Sequence, residues 1–150
     1  MMRMILKKMK KWKIKTKRIY YRPVIIMIKD GLIFKDEATG KDVVFNYYTF
    51  YKMVIASIEK YAKKSIDEAK KIVDASFIVQ DPPKTLLDVA HMTHEYEYHW
   101  AMILVYGEEY WNKYPDIKST PPDEYFDWYE EYVEKNNLQE EILIDENEEE

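Results

Sequence analysis

The sequence predicts an α+β fold: an N-terminal antiparallel β-meander of three or four strands packed against three or four helices, one of them a long central helix. Short apolar runs separated by Asp- and Gly-containing turns fill the first third of the chain. Segments with helical apolar spacing and capping residues fill the rest. The length of 150 residues is that of one domain. We therefore expect a single domain over residues 1–144.

The predicted meander begins with the apolar run at residues 24–28. Asp30-Gly31 follows, and residues 32–34 resume the apolar run. An Asp-Gly pair between two such runs is a strong hairpin signal, because a type I′ turn needs positive φ at both central residues. Residues 36–40 form the next predicted turn, which ends on a glycine suited to the left-handed conformation, and residues 43–45 return antiparallel.

Helical spacing follows the predicted strands. Asn46 or Thr49 is expected to cap a helix that runs to about Lys63. Ser65 opens a second helix with a capping-box pattern, because a glutamate follows three residues later. We expect this second helix to end at Asp81, which two prolines follow.

The longest helical segment runs from Thr85 to Lys113 and would measure about 45 Å as one helix. Gly107 lies inside it and costs about 1 kcal/mol relative to alanine, so a kink or break is expected there. Thr120, followed by two prolines, predicts the start of the last helix, which ends near residues 136–137. Residues 145–150 are expected to form a disordered acidic tail.

Charge is divided sharply along the chain. Residues 1–29 carry eleven Lys or Arg and no Asp or Glu, whereas residues 30–150 carry twelve Lys or Arg and twenty-eight Asp or Glu. The overall charge of −5 is therefore a segment of +11 joined to a body of −16. Such an asymmetry is typical of a basic arm that meets a polyanion or an acidic protein surface.

The basic N-terminal segment, residues 1–22, is the leading candidate site. Residues 12–17 alternate apolar or β-branched with basic side chains, as in a strand with one apolar and one basic face. Lys and Arg neutralise phosphates, and exposed rings stack on the bases of single strands. An edge strand protected by lysines, or an internal match to the acidic C-terminal part, would give the same pattern. The candidate nucleic-acid-binding residues are Lys10, Lys11, Trp12, Lys13, Lys15, Lys17, Arg18 and Arg22.

The three histidines all lie within residues 91–99. On a single helix His91, Glu95 and His99 would share one face, and they could hold Zn²⁺, Fe²⁺ or Mn²⁺. The pattern matches neither the His-Glu-x-x-His motif nor the ligand set of di-iron bundles. The alternative is that these side chains make ordinary hydrogen bonds to Tyr and Glu. A divalent metal is the one cofactor that the sequence suggests, and a metal-dependent enzyme that uses this helix face is a further hypothesis for the function.

Aromatic and acidic side chains are concentrated in the C-terminal third. Twelve Tyr, Trp or Phe residues fall within residues 96–132, more than one small core can bury, so some are expected to form a protein-partner or homo-oligomer interface. The predicted last helix also carries a row of acids, including Asp127, Glu130 and Glu131, although an ordinary solvated helix face would give the same row. These features support a second hypothesis, a protein-interaction module of the inhibitor, immunity or virion type.

Several classes of function are disfavoured. With no Cys, the chain has no disulfide, thiolate metal site or Cys nucleophile. Three glycines and no phosphate-loop motif disfavour nucleotide-dependent enzymes, so a non-enzymatic binding protein is predicted. No apolar run approaches the length of a membrane span, and the basic N-terminus lacks a secretory apolar core, which favours a cytoplasmic location and no membrane partner. Abundant Lys, Glu, Ile and Tyr fit either a thermophilic source or an A·T-rich genome.

Overall fold

The computed structural model of the protein describes residues 27–145. Within this range three strands form one antiparallel sheet and seven helices accompany it, so the predicted α+β class is confirmed. The strands are β1 (Leu32–Lys35), β2 (Asp42–Phe45) and β3 (Ile142–Ile144). The helices are α1 (Tyr47–Tyr61), α2 (Ile66–Asp74), α3 (Phe77–Gln80), α4 (Leu86–Thr93), α5 (Glu97–Tyr106), α6 (Tyr110–Lys113) and α7 (Tyr125–Lys135).

The sheet has the order β1-β2-β3, and its third strand comes from the far end of the chain. Ile33 pairs with Val44, and Val44 pairs with Leu143 on the other side. The sequence predicts instead a strand at residues 24–28, but residues 27 and 28 are not in a strand, and residues 24–26 lie outside the described range. The prediction is therefore wrong for the described part of that segment.

The β1–β2 hairpin is confirmed at the predicted turn. The Asp36 amide donates to the Lys41 carbonyl oxygen at 2.9 Å, and the Gly40 amide donates to the Asp36 carbonyl oxygen at 2.7 Å. Gly40 has φ of +71°, a left-handed conformation that glycine adopts without a Cβ penalty. The Asp36 carboxylate accepts from the Ala38 amide, which fixes the turn locally.

Helix α1 forms the centre of the core. Phe50, Met53, Val54 and Ile58 repeat at helical spacing and are fully buried, and α1 packs against α2 and α5. Burial of each such side chain contributes about 1.5–3 kcal/mol relative to exposure. The helix begins after Asn46, one of the two predicted caps, and ends at Tyr61, two residues before the predicted end.

Capping boxes mark the starts of α2 and α4. The side chains of Ser65 and Thr85 each accept a hydrogen bond from the backbone amide three residues later, and the carboxylate at that position accepts one from the backbone amide of the cap residue. Both starts agree with the sequence. The predicted extension of α2 to Asp81 is wrong, because α2 ends at Asp74 and Ser76 caps the separate helix α3.

The segment from Thr85 to Lys113 forms three helices, α4, α5 and α6, in place of one. The break at Gly107 was predicted, and this residue has φ of +87°. The break at residues 94–96 was not. There the Trp100 indole N–H donates to the Met92 carbonyl oxygen at 2.7 Å, and the His94 ring contacts the His91 carbonyl oxygen. These side chains occupy the carbonyl groups that a continuing helix would use.

Helix α7 starts later than predicted. Thr120 is not its cap; residues 120–124 are irregular, and the Tyr125 amide donates to the Pro122 carbonyl oxygen at 2.9 Å before the helix begins. The predicted end is confirmed, because Lys135 is the last helical residue. Asn137 then has φ of +52°, and the chain turns back toward β3. Across residues 27–145, no helix combines the length and the apolar character that crossing a membrane requires.

Candidate functional site

The basic N-terminal segment lies outside the described residues, and so do all eight candidate nucleic-acid contacts from Lys10 to Arg22. Their role stays a prediction. The structure does define the body to which they are attached. Residues 27–145 contain thirteen Lys or Arg and twenty-four Asp or Glu, a net formal charge of −11. The basic segment therefore adjoins a folded body of opposite sign.

The predicted metal ligands do not share a helix face, because the break at residues 94–96 separates His91 from His99. His91 stacks on His94 with ring centroids 5.5 Å apart at the end of α4. Glu95 lies 3.7 Å from His94, measured from its Oε1 to Nε2. In α5, the Nδ1 atom of His99 lies 2.8 Å from the Tyr110 hydroxyl.

The hydrogen bond between His99 and a tyrosine is the arrangement that the alternative interpretation of the histidine cluster predicts. The His99 ring also lies nearly parallel to that of Trp111, with centroids 6.0 Å apart. Over residues 27–145, no group of three His, Cys, Asp or Glu side chains is placed to hold a metal ion. The helical spacing on which the metal prediction depended is not formed.

Most of the C-terminal aromatic rings are buried or half-buried, and four are exposed. The exposed ones are Tyr96, Trp111, Tyr114 and Phe126. Tyr96 and Phe126 form an edge-to-face pair with centroids 5.2 Å apart, and their exposed fractions are 54% and 49%. The exposed acid Asp127 follows Phe126 directly in α7. An exposed ring pair beside carboxylates is a surface on which a protein partner could bind.

A buried pair of carboxyl groups is the most unusual polar feature of the described residues. Glu97 is the first residue of α5 and only 3% exposed. Its carboxyl group shares a hydrogen bond with that of Glu141, which immediately precedes β3. The Tyr129 hydroxyl of α7 donates to Oε1 of Glu97 at 2.9 Å. We refer to these two residues as the Glu97–Glu141 pair.

Burial raises the pKa of both carboxyl groups above the ordinary range for glutamate. For Glu141 the charge of Glu97 and the hydrogen bond between the two groups raise the pKa further. For Glu97 the hydrogen bonds from its own backbone amide and from Tyr129 act in the opposite direction and do not offset burial. The pair therefore holds a proton at pH values where an exposed glutamate is ionised.

The described side chains around the pair add no positive charge. Tyr125 and Tyr129 face it from α7, and burial followed by the charge of Glu97 raises the pKa of both phenols. Among residues 27–145, two enclosed side-chain oxygens have no hydrogen-bond partner: Oε1 of Glu141 and the Tyr61 hydroxyl of α1. A buried polar atom without a partner costs about 1–3 kcal/mol. The cluster is thus an energetically costly arrangement at the junction of α1, α5, α7 and β3.

The C-terminal strap, residues 138–145, brings Glu141 to this junction. The backbone amide of Asn46 donates to the Glu141 carbonyl oxygen at 2.9 Å, and the Asn46 side-chain amide donates to the Glu140 carbonyl oxygen. The Gln139 amide donates to the Thr49 hydroxyl at 3.1 Å. Together with the β2–β3 pairing, these bonds hold the strap against the start of α1.

Sequence reasoning missed the Glu97–Glu141 pair. Two local signals were available. Glu97 is the one acidic residue in an otherwise largely apolar helix, and Glu141 directly precedes the apolar run Ile142–Ile144. Neither signal indicates that the two carboxyl groups meet, because they are distant in the chain.

Two surface clefts have volumes of about 460 and 520 Å³. Lys118, Thr120 and Pro121 help to line the first, and Ile33 and Leu87 help to line the second. Neither cleft includes a member of the Glu97–Glu141 pair. Comparisons of the chain with protein-family models, with curated proteins and with solved structures gave no match.

Proposed function

We propose that this protein is a non-enzymatic binding protein whose basic N-terminal segment contacts nucleic acid. The observation that supports this proposal is the division of charge, +11 over residues 1–29 against −11 over the described body. The two ranges overlap at residues 27–29, where Lys29 is counted in both. A folded acidic body repels phosphates, so binding depends on the basic segment alone.

The mechanism is electrostatic. Each lysine or arginine that neutralises a phosphate releases a counterion, and the slope of log affinity against log salt changes by about −0.9 per contact on duplex DNA. Lys13, Lys15 and Lys17 alternate with apolar or β-branched residues, so an extended backbone would place all three on one side. Trp12 supplies a ring for stacking on an unpaired base. Binding should therefore be salt-sensitive and weakly dependent on sequence.

The test is fluorescence anisotropy of labelled single- and double-stranded DNA and RNA with the full chain, at about 50 and about 200 mM salt. The variant Lys13→Glu/Lys15→Glu/Lys17→Glu should reduce affinity and make the salt slope shallower by about 3 units on duplex DNA. A matched control reverses three exposed lysines of the body: Lys35, Lys41 and Lys71.

The two triple variants change the net charge equally, so they separate a local contact from a general charge effect. Equal losses in both would contradict a site in the basic segment. Absence of binding by the full chain at the lower salt concentration would contradict a nucleic-acid partner altogether.

The exposed ring pair supports a second candidate function, a protein-interaction module. Tyr96 and Phe126 lie beside the acidic face of α7, which carries Asp127, Glu130 and Glu131. Reversing these three acids should abolish capture of a basic protein partner, whereas deleting residues 1–22 should leave it intact. Loss of capture on deletion of residues 1–22, with capture retained after reversal of the acids, would assign binding to the basic segment instead.

A further inference from the structure

The Glu97–Glu141 pair links a protonation equilibrium to the position of the C-terminal strap. Glu97 belongs to α5, and α5 is held in place because its residues Trp100, Ala101 and Met102 are buried in the core. Glu141 belongs to the strap, which contacts the body through hydrogen bonds to Asn46 and Thr49, the half-buried Ile142 and a strand of only three residues. Any repulsion between the two carboxylates therefore acts on the strap, which is the less firmly held side.

We propose that the Glu97–Glu141 pair is a proton-operated lock on the C-terminal strap: the strap docks while the pair holds a proton and leaves β2 when both carboxylates are charged. Release would uncover the edge of β2 that β3 now occupies. The lock would thus determine whether the third strand is docked on β2, a property separate from nucleic-acid binding.

The surroundings contain the groups that such a lock needs. From α7, the Tyr129 hydroxyl donates a hydrogen bond to Glu97, and, after burial, the charge of Glu97 raises the pKa of Tyr125. From α1, the Tyr61 hydroxyl lies in the same cluster without a hydrogen-bond partner among the described residues, and Ser57 lies close to Tyr125. Among the described residues, no lysine, arginine or histidine acts on either carboxyl group. Within the part of the chain that the structure describes, a doubly charged pair therefore has no neutralising cation.

The direction of the pH effect follows from burial. An exposed glutamate loses its proton near pH 4.3, whereas the buried pair keeps one at higher pH because its pKa values are raised. The docked state therefore binds more protons than the released state in the window above the ordinary value. Docking is strongest at and below that value. The equilibrium constant for docking falls by up to tenfold per pH unit for each proton lost, as pH rises through the raised pKa values.

The experiment is an NMR titration of the full-length wild-type protein, which follows the side-chain carboxyl carbons of both glutamates and the amides of Asn46 and Ile144. The carboxyl carbons should titrate above the ordinary glutamate range. The two amides, which lie at the strap contact, should shift with the same midpoint while the amides of α2 stay unchanged. Carboxyl titration near the ordinary value, or titration without movement of the amides, would overturn the proposal.

A matched pair of variants isolates the lock from general charge effects. Glu141→Gln keeps the size of the side chain but cannot ionise, so the pH-dependent shifts of Asn46 and Ile144 should disappear. Glu140→Gln changes an exposed glutamate one residue away and should retain them with the wild-type midpoint. Persistence of the shifts in Glu141→Gln would refute the lock. If that variant fails to fold, the wild-type titration still decides the question.

Discussion

Replacing Asn46 with alanine should disconnect three parts of the molecule at once. Asn46 is 4% exposed and precedes α1. Its Oδ1 atom accepts from the Gly31 amide at 3.0 Å, and its Nδ2 atom donates to the Glu140 carbonyl oxygen. Alanine removes both bonds and leaves two backbone groups without partners. The start of β1, the start of α1 and the C-terminal strap then lose their shared side-chain contact.

The cost can be worked out from those two bonds. Each hydrogen bond contributes about 1 kcal/mol net, and a backbone group left unpaired in a site closed to water costs about 1–3 kcal/mol. Because the new space would admit some water, we expect a total loss of about 2–4 kcal/mol in the free energy of unfolding. For a chain of this length that corresponds to a melting temperature lower by about 5–15 °C.

Urea unfolding followed by circular dichroism measures this loss directly. The control is Asn136→Ala, which removes an exposed bond from Nδ2 to the Tyr132 carbonyl oxygen in the last turn of α7. We expect that control to cost less than about 1 kcal/mol, because water replaces the bond. If Asn46→Ala is no more destabilising than Asn136→Ala, the role assigned to Asn46 is incorrect.

Three further predictions concern the core, the start of α1 and the buried pair. Phe50→Ala should lower the free energy of unfolding by about 3–5 kcal/mol, because it empties a fully buried site; a loss under 1 kcal/mol in urea unfolding would contradict the core assignment. Asp30→Ala should cost about 1–2 kcal/mol, since its carboxylate accepts from the Thr49 amide at 2.8 Å as a distant cap of α1, and thermal unfolding measures the loss. Tyr129→Phe should raise the pKa of Glu97 further by removing a hydrogen bond to its charged form, so the strap amides should shift at higher pH; an unchanged midpoint would exclude that bond from the lock.

Features encoded within a few neighbouring residues could be predicted from the sequence. The turn ending at Gly40, the capping box at Ser65 and the helix start at Thr85 each depend on side chains within a few positions. The break at Gly107 likewise follows from one residue with low helix propensity. These elements formed where they were expected.

Features that depend on distant partners could not be predicted. The α4–α5 break is stabilised when the Trp100 indole reaches Met92, and β3 exists because it pairs with β2. The Asp30-Gly31 signal was misleading for the same reason. Asp30 caps α1, and the Gly31 amide bonds to Asn46, so the pair does not close a hairpin in the described residues. Tertiary contacts decided the local structure in each case.

The candidate site shows the same division. The basic segment was evident from composition but lies outside the described residues, so its prediction stays untested. The metal-site prediction assumed that His91, Glu95 and His99 lie on one unbroken helix. The break at residues 94–96 removes that spacing. The Glu97–Glu141 pair joins residues from separate elements, and the local signal at each glutamate does not indicate that the two carboxyl groups meet. Only the packed structure identifies it.

The position of β3 determines the order in which the sheet can assemble. The β1–β2 hairpin closes a loop of a few residues, whereas pairing Phe45 with Ile142 closes one of nearly a hundred. The entropic free-energy cost of closing the longer loop in an unfolded chain is about 4 kcal/mol, which is roughly 2 kcal/mol more than the cost of closing the hairpin loop. Folding of α1, α2 and α5 shortens that loop beforehand, so we expect the third strand to join last. The carboxyl groups of the pair would then meet only at the final step, and the rate of that step should slow as pH rises.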